Sequence, residues 1–478
     1  MALLDTTKDT QGSGLASVNP DLASERLTAS FCVPRLTAVL DGGAERTRLR
    51  RVVADVIESD PVFSRENQYF QSQNERALAG DVAFLLHRVF MRSISVLGSD
   101  KQVAKWIPLA TEYQLIGSYA QTELGHVGRS ATHAVVFAQL YIHGKCYGVH
   151  PFIVQIRSLQ DHSLCPGVIA GDIGPKMNFE HIDNGYLMLK NMRIPRENML
   201  NKFCEVQPDG TYVRRGSQKI NYFTMTSVRI SLISDEVILP LMKACTIAIR
   251  YSVVRRQSKL KPGDEEAKIL DYQTQQEKLL PQLAAAYAFH FINNYLHELF
   301  DRGYKEIQGR NFDLLPELHA FSSGFKAMVS QYCTSGVEIC LRACGGHGYS
   351  LLSGLPSLYT KILASCIYEG ENTILLLQTA RFLIKCFSAA SAGQPVPPSV
   401  TYLAAMKPGK CPAKDKLDFL SPDIYTEAYQ HAAIRLISST AAKLQDLIQS
   451  GVERHEAWNQ CTVQLVQAAK VSNIFVLI

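Results

Sequence analysis

The 478-residue sequence lacks the features that mark several classes of protein. Its 12 cysteines form no Cys-x-x-Cys pair and no Cys/His cluster at metal spacing, so neither a metal site nor a disulfide framework is predicted. Cys340 and Cys344, four residues apart on a predicted helix, are interpreted as core thiols. No Lys/Arg-rich block with interleaved aromatic residues occurs, and a net charge of +5 is small for this length. A nucleic-acid partner is therefore not expected.

Long apolar runs are missing as well. No run approaches the roughly 20 residues that span a bilayer, so no membrane span is predicted. Residues 1–20 are polar and lack the apolar core of a secretory signal. Hydrophobic residues make up 46% and charged residues 19%, which is typical of a soluble globular protein. The scattered cysteines are expected to be buried free thiols in a reducing compartment. Single cores stop growing near roughly 250 to 300 residues, so two or three packed units are expected.

The pattern of apolar residues changes along the chain. Spacings of three and four predict helices in residues 21–116 and again after residue 216. Between these regions, short β-branched and aromatic runs are separated by Asp-Asn-Gly and Pro-Gly turns, which predict strands. Ser99-Asp100 is expected to cap a helix that runs through Val103 and Trp106. We therefore predict a mainly α fold with a small central β-domain.

The predicted domains follow these changes in chain order. They are a disordered tail over residues 1–20, an N-terminal helical domain over 21–116, a β-domain over 117–215, a four-helix bundle over 216–387, a linker over 388–400 and a partial C-terminal helical domain over 401–478. The apolar residues 473–478 have no evident partner within the sequence, so we expect truncation or burial against another subunit.

The residues around Glu369 admit two interpretations. An acidic side chain next to a glycine, between an aromatic residue and an apolar helical run, can be partly desolvated and can act as a base. The same residues also fit a helix start, with Asn372 or Thr373 as the N-cap and Glu369 and Glu371 near the positive end of the helix dipole. The stretch by itself favours the helix start over the base.

Motifs along most of the chain resemble those of the acyl-CoA oxidase family. They are residues 119–126 (YAQTELGH), 172–176 (DIGPK), 183–185 (DNG), 196–200 (RENML), 271–276 (DYQTQQ), 343–350 (ACGGHGYS) and 368–373 (YEGENT). Residues 128–133 (GRSATH), 159–162 (LQDH) and 455–460 (HEAWNQ) look most like the branched-chain oxidases of bile-acid intermediates. The resemblance runs from about residue 19 to about residue 470.

This resemblance implies a fold and an activity. The fold would be that of the acyl-CoA dehydrogenases and oxidases, with N-terminal helices, a β-domain, a four-helix bundle and part of a second helical domain. The activity would be FAD-dependent oxidation of acyl-CoA to trans-2-enoyl-CoA, with O2 reduced to H2O2, in the peroxisomal β-oxidation of fatty, branched-chain or bile-acid chains by a homodimer. A dehydrogenase that passes electrons to an electron-transfer flavoprotein is a third possibility, and the Glu-Gly-Glu-Asn-Thr motif favours the oxidase.

The resemblance also assigns roles to residues near the reaction. Glu369 matches the base that takes the α-proton, and Glu371 is interpreted as a cap or a solvated residue. Arg229 matches an arginine near the reacting centre and substrate, while a buried structural salt bridge explains it equally well. No metal ligand is implied.

Cofactor contacts are implied at five further residues. Thr122 would hydrogen-bond the isoalloxazine ring, and Arg255 would pair with the flavin pyrophosphate, a role that suits a planar guanidinium. Gln273, Gly345 and Gly346 match positions that contact the dinucleotide of the neighbouring subunit. Without the resemblance, Arg255 would be interpreted as an exposed arginine that closes a helix.

The sequence departs from the family pattern at three places. Several tens of residues of β-strand, with a tryptophan that faces the flavin, are missing between His126 and Gly128, and a helix is missing after Arg76. The chain stops at Ile478 without a Ser-Lys-Leu type address. We expect unpaired strand edges and exposed apolar faces in the β-domain. A catalytically silent isoform that dimerises with a full-length oxidase is therefore the alternative function.

Overall fold

The structure is a computed structural model, and it describes residues 19–59, 82–121, 127–177, 179, 182–217, 220–221, 223–404 and 412–477. The chain divides into two compact units. Unit 1 comprises Met1–Ser59, Leu241–Ala286 and Gly336–Leu358. Unit 2 comprises Asp60–Pro240, Tyr287–Ser335 and Tyr359–Ile478.

Helices make up most of the described chain. In the N-terminal part they are α1 (Pro20–Leu27), α2 (Val33–Asp41), α3 (Ala44–Ser59), α4 (Val82–Leu97) and α5 (Asp100–Thr111). The later helices, apart from a single turn at Gly346–Tyr349, are α6 (Phe223–Leu232), α7 (Leu239–Val254), α8 (Gln273–Gln308), α9 (Leu315–Ala343), α10 (Leu355–Ala364), α11 (Asn372–Ser391), α12 (Pro422–Gln449), α13 (Arg454–Gln460) and α14 (Thr462–Leu477). A π-helical segment, Ile233–Ile238, joins α6 to α7.

The start of α5 confirms the cap predicted at Ser99. The backbone N–H of Ser99 donates to Oε1 of Gln102 at 3.0 Å, which completes a capping box. The Gln102 amide also donates to the carbonyl oxygens of Glu197, at 2.8 Å, and Met199, at 2.7 Å. One side chain therefore caps its own helix and holds the distant RENML segment.

The strands lie between α5 and α6. They are β1 (Gly117–Ala120), β2 (Val127–Gly128), β3 (His133–Ile142), β4 (Lys145–Gln155), β5 (Val168–Asp172), β6 (Asn184–Leu189), β7 (Cys204–Val206) and β8 (Tyr212–Arg214). They form the sheets β1-β3-β4, β2-β6-β5 and β7-β8, in which β1 runs parallel to β3 and the other pairs are antiparallel. The predicted mainly α fold with a small β region is confirmed.

The strand region buries one apolar face and leaves another exposed. Ala134 on β3 pairs with Val154 on β4, and both side chains lie in a buried cluster with Val168. On the β5-β6 pair, Ile169 faces Met188 across the strands, and their side chains are 42% and 50% exposed. This exposed apolar pair agrees with the apolar face expected from the sequence.

The chain end packs inside unit 2, so the expectation that it lacks a partner is wrong. Helix α14 packs against α11 and α12. The ring of Phe475 lies 4.6 Å from that of Tyr402, measured between centroids. Asn473 is fully buried against Gly324, where an added Cβ would lie 2.4 Å from the Asn473 Nδ2. A glycine on α9 therefore makes room for the last helix.

Buried thiols and apolar helices complete the description. Cys340 and Cys344 are buried and free, as predicted, and Cys340 Sγ lies 4.0 Å from Cys245 Sγ. Two stretches, Phe223–Val254 and Asn372–Ser391, are long and apolar enough to cross a membrane by length and composition alone. Their most apolar windows are 50% and 33% buried within the fold, and core helices meet the same criterion. Both include polar residues, so a search for unbroken apolar runs does not find them.

Candidate active site

Glu369 lies in the loop between α10 and α11, in a backbone conformation that few side chains adopt. Its φ is +60°, and that of the next residue, Gly370, is +104°. A Cβ at Gly370 would lie 2.6 Å from Leu375 Cδ2, so this position requires glycine. A left-handed non-glycine residue costs about 1–3 kcal/mol, and it persists only where its surroundings hold it. The loop is therefore shaped by its neighbours in the fold.

The start of α11 assigns separate roles to the two acidic residues. Glu371 is the N-cap, and its carboxylate accepts from the backbone N–H groups of Thr373 at 2.9 Å and Ile374 at 3.3 Å. The suggested caps Asn372 and Thr373 are wrong, and the interpretation of Glu371 as a cap is confirmed. Partial burial acts to raise the pKa of Glu371, but these hydrogen bonds outweigh it and leave the pKa lowered.

Glu369 is half-buried, and one oxygen of its carboxyl group is shielded from water. Its Oε2 is inaccessible to solvent and has no hydrogen-bond partner among the described residues. Burial raises the pKa of Glu369 to about 7, against the opposing charges of Arg229 and Lys326. The adjacent Tyr368 hydroxyl is also buried without a partner in the described part of the chain. Unpaired buried polar groups with shifted pKa values are typical of functional sites.

Arg229 and Glu369 come together, although not as an ion pair between side chains. Arg229, on α6, donates from Nε to the backbone carbonyl of Glu369 at 3.0 Å and from Nη1 to Ser323 Oγ at 3.4 Å. Burial lowers the pKa of Arg229, opposed by Glu369 and Tyr119, but a guanidinium keeps its charge. Arg229 thus holds the backbone of the loop and leaves the carboxylate free.

Sequence reasoning missed Lys326, a second cation at this loop. Lys326 lies on α9, has no exposed surface, and donates to the Gly370 carbonyl at 2.7 Å and to Asn372 Oδ1 at 3.0 Å. Burial lowers its pKa to about 8, against the favourable charges of Cys366 and Glu369. The available signal was a single lysine within the apolar and small residues 321–329.

Several predicted cofactor residues lie in unit 1, next to the ends of three helices that a buried side chain connects. Helix α7 ends at Val254, α8 begins at Gln273 and α9 ends at Ala343. The buried Gln275 joins these ends, because its amide donates to Ser252 Oγ at 3.0 Å and to the Ala343 carbonyl at 2.9 Å. Gln275 was also missed, although it lies in the DYQTQQ motif.

The predicted residues at these helix ends are exposed. Arg255 donates from Nη2 to Gln257 Oε1 at 2.8 Å and otherwise faces solvent, as does the Gln273 side chain. Gly345 has a φ of +54°, and a Cβ added at Gly345 or Gly346 would meet nothing within 4 Å. Exposed donors and open backbone fit the diphosphate of a dinucleotide such as FAD. Thr122 lies outside the described residues.

Three family models match the chain. They are the acyl-CoA oxidase C-alpha1 domain at residues 222–384, the acyl-CoA oxidase model at 421–478 and the acyl-coenzyme A oxidase N-terminal model at 33–80. The first model includes both Arg229 and Glu369.

Curated relatives match nearly the whole chain. Peroxisomal acyl-coenzyme A oxidase 2 of Rattus norvegicus is 47% identical over 535 residues, which cover 96% of this chain and 79% of the relative. The Oryctolagus cuniculus protein of the same name is 46% identical over 527 residues, covering 95% and 77%. Both alignments are longer than the 478 residues of this chain. The relatives therefore carry internal segments that this chain lacks, which confirms the predicted shortening.

Solved structures of similar sequence share the fold. Caenorhabditis elegans acyl-CoA oxidase-2, bound with FAD, ascaroside-CoA and ATP, superposes with a TM-score of 0.89 at 33% identity, covering 96% of this chain and 79% of that one. Arabidopsis thaliana acyl-CoA oxidase 1 gives a TM-score of 0.87 at 33% identity, covering 95% and 80%.

Proposed function

This chain belongs to the acyl-CoA oxidase family, and from that premise we propose that it oxidises an acyl-CoA to the trans-2-enoyl-CoA and reduces O2 to H2O2. The observation that carries the proposal is the Glu369 carboxyl group, whose Oε2 is inaccessible to solvent and without a partner among the described residues, and whose pKa burial raises to about 7. The relatives are named peroxisomal oxidase 2, which supports a place in peroxisomal β-oxidation of fatty, branched-chain or bile-acid chains.

Glu369 is the proposed base. The α-proton of an acyl thioester is too weakly acidic for a solvated carboxylate, so a base in a dry environment is needed. Oε2, which has no partner among the described side chains, accepts the α-proton, the α,β double bond forms, and the β-hydrogen leaves with its electron pair. Arg229 fixes the peptide carbonyl of the base and so limits movement of the loop. FAD, when bound, supplies the acceptor for the hydride and the route of two electrons to O2.

The remaining predicted residues are proposed to hold the cofactor. Arg255 pairs with the pyrophosphate, and Thr122 contacts the isoalloxazine ring. Gln273, Gly345 and Gly346 contact the dinucleotide of the neighbouring subunit in a homodimer. The open backbone at the glycine pair and the exposed Arg255 guanidinium support these roles.

A spectrum and a peroxide assay test this proposal on the purified chain. We expect a flavin absorbance spectrum after gel filtration and peroxide release with straight-chain, branched-chain and bile-acid acyl-CoA substrates. Oxygen uptake that exceeds dye reduction separates an oxidase from a dehydrogenase. A chain without flavin that makes no peroxide from any of these substrates would rule out the activity.

The second function we propose is a catalytically silent partner of a full-length oxidase. It is supported by the exposed pair Ile169 and Met188 on the β5-β6 sheet and by the internal segments that the relatives have and this chain lacks. Co-expression with a differently tagged full-length oxidase tests it, and an absence of mixed dimers would discard it.

A further inference from the structure

Lys326 is the least expected charge in unit 2. Lysine is almost never fully buried, because removing an ammonium group from water is costly unless it is paired or hydrogen-bonded. Lys326 has no exposed surface, and its neighbours Phe325 and Ala327 on α9 are also buried. A core position of this kind ordinarily holds an apolar side chain, so the lysine calls for an explanation from its contacts.

Neutral groups of the Glu369 loop hold the Lys326 ammonium. Nζ donates to the Gly370 carbonyl and to Asn372 Oδ1, and the Asn372 amide donates to Ser330 Oγ at 3.0 Å. Ser330 lies one helical turn after Lys326 on the same face of α9. No carboxylate in the described ranges forms an ion pair with Lys326. Within the described part of the chain, its charge therefore meets no carboxylate directly and acts on the nearby Glu369 through space.

The two cations hold consecutive peptide groups. Arg229 binds the carbonyl of Glu369, and Lys326 binds the carbonyl of Gly370. These are the two residues of the loop with positive φ. Two charge-assisted hydrogen bonds from different helices thus stabilise the unusual backbone that carries the carboxylate.

We infer that Lys326 is a positioning residue for the base: its ammonium fixes the Gly370 carbonyl and Asn372, and its positive charge favours the ionised form of the Glu369 carboxylate. The inference rests on the proposed function of Glu369. It adds that a lysine on another helix helps to orient the base and to keep it ionised.

The charge of Lys326 acts against burial. Burial raises the pKa of Glu369 to about 7, and the positive charges of Arg229 and Lys326 lower it. Removing one of these charges should therefore raise the pKa of Glu369 further. The other titratable or charged groups that act on the loop are Tyr119 on β1, Glu236 in the π-helical segment, and Cys366, Tyr368 and Glu371 on the loop segment itself.

The test is a carbon-13 titration of glutamate side chains labelled at Cδ, with E369Q used to assign the Glu369 signal. This measurement needs neither bound flavin nor activity. In K326M, which keeps the length of the side chain and removes its charge, we expect the Glu369 signal to titrate at higher pH than in the wild type. K326R should titrate close to the wild type. K202M is the matched control, because Lys202 is a cation of the same unit that donates to Gln308.

A second variant keeps the test decisive if K326M does not fold. K326Q retains an amide that can donate to the Gly370 carbonyl and lacks the charge, so it should also move the titration upward. A folded K326M or K326Q in which Glu369 titrates as in the wild type overturns the inference, even if the thermal midpoint falls. A lower midpoint alone would indicate a structural role.

Kinetics separate this inference from the proposed activity. In an active enzyme, K326M should move the acid limb of kcat/KM to higher pH. If the pKa of Glu369 rises from about 7 by one, kcat at pH 7 should fall about 5-fold, because the ionised fraction drops from about one half to about one tenth. KM for the acyl-CoA should change little. A chain that makes no peroxide but shows the upward titration would contradict the oxidase proposal and support the inference.

Discussion

The two groups of predicted site residues differ in their exposure to solvent. At the Glu369 loop in unit 2, Lys326 is fully buried, Arg229 and Glu369 are half-buried, and the Glu369 Oε2 is inaccessible to solvent without a described partner. At the helix ends of unit 1, Arg255 and Gln273 face solvent, and a neutral buried glutamine, Gln275, holds the helices.

This difference agrees with the two proposed tasks. A base that removes a carbon-bound proton needs a carboxylate that water does not stabilise, so its burial is part of its function. Donors that bind a phosphate-bearing cofactor must remain exposed until it binds. Their positions therefore depend on the residues beneath them, whose own hydrogen bonds are complete. The Glu369 loop keeps charged groups away from water, which is unfavourable. The helix ends of unit 1 are held instead by hydrogen bonds between uncharged groups.

The largest expected effect comes from removing the buried carboxylate. E369Q should lower peroxide formation about 1,000-fold, within the range that general bases contribute, while the flavin content stays unchanged. E371Q is the matched control, because its exposed carboxylate caps α11 and should affect the rate only a few-fold. Equal losses in the two variants would show that burial does not distinguish the base.

A pH series of thermal midpoints should expose the cost of burying Glu369. Its pKa is raised from 4.5 to about 7 in the folded state, so its contribution to stability is complete below pH 4.5 and is lost as the pH rises through 7. E369Q should thus exceed the wild type by about 3 kcal/mol at pH 8 and match it near pH 4. E371Q should lose stability at neutral pH, because the pKa of Glu371 is lowered. A pH-independent difference for E369Q would contradict the assignment.

Gln275 tests the scaffold of the second region. Q275L removes both hydrogen bonds and leaves the Ala343 carbonyl and the Ser252 hydroxyl with one partner fewer, which should cost about 2 kcal/mol. Q273L alters an exposed residue and should stay within about 0.5 kcal/mol of the wild type. Urea unfolding of both variants gives the comparison, and similar losses would mean that Gln275 does not hold the helix ends.

The smallest expected effect is a difference in flavin affinity between variants of the neighbouring residues Arg255 and Arg256. R255A should weaken flavin binding about 10-fold, the lower end for a charge-assisted hydrogen bond, without a change in the midpoint of the apoprotein. R256A removes a partly exposed pair with Asp21 and should leave flavin affinity unchanged. Titrating the apoprotein with FAD and following flavin fluorescence measures both. Equal weakening would indicate a general effect of positive charge.

The loop around Glu369 illustrates what sequence patterns can predict. A motif of six residues predicted Glu369 as the base and Glu371 as a cap or a solvated residue, and capping rules pointed to Ser99-Asp100. The role of Lys326 could not be predicted from the sequence, because a lysine in a helical pattern is normally exposed. Its burial depends on α9 packing beneath a loop that lies 44 residues further along the chain. Gln275 was overlooked because the motif pointed to Gln273, although only the buried residue joins the helices.

By itself the sequence determined the family, the mainly α fold with a small β region and the identity of the candidate base, since these depend on local patterns and motifs. Only the tertiary structure decided that Glu369 is desolvated, that Lys326 contacts the loop of Glu369 and that the last helix packs against α9. The physical reason is that a pKa and a hydrogen-bond partner depend on atoms brought close in space. Arg229, which binds the backbone of Glu369, is 140 residues away along the chain.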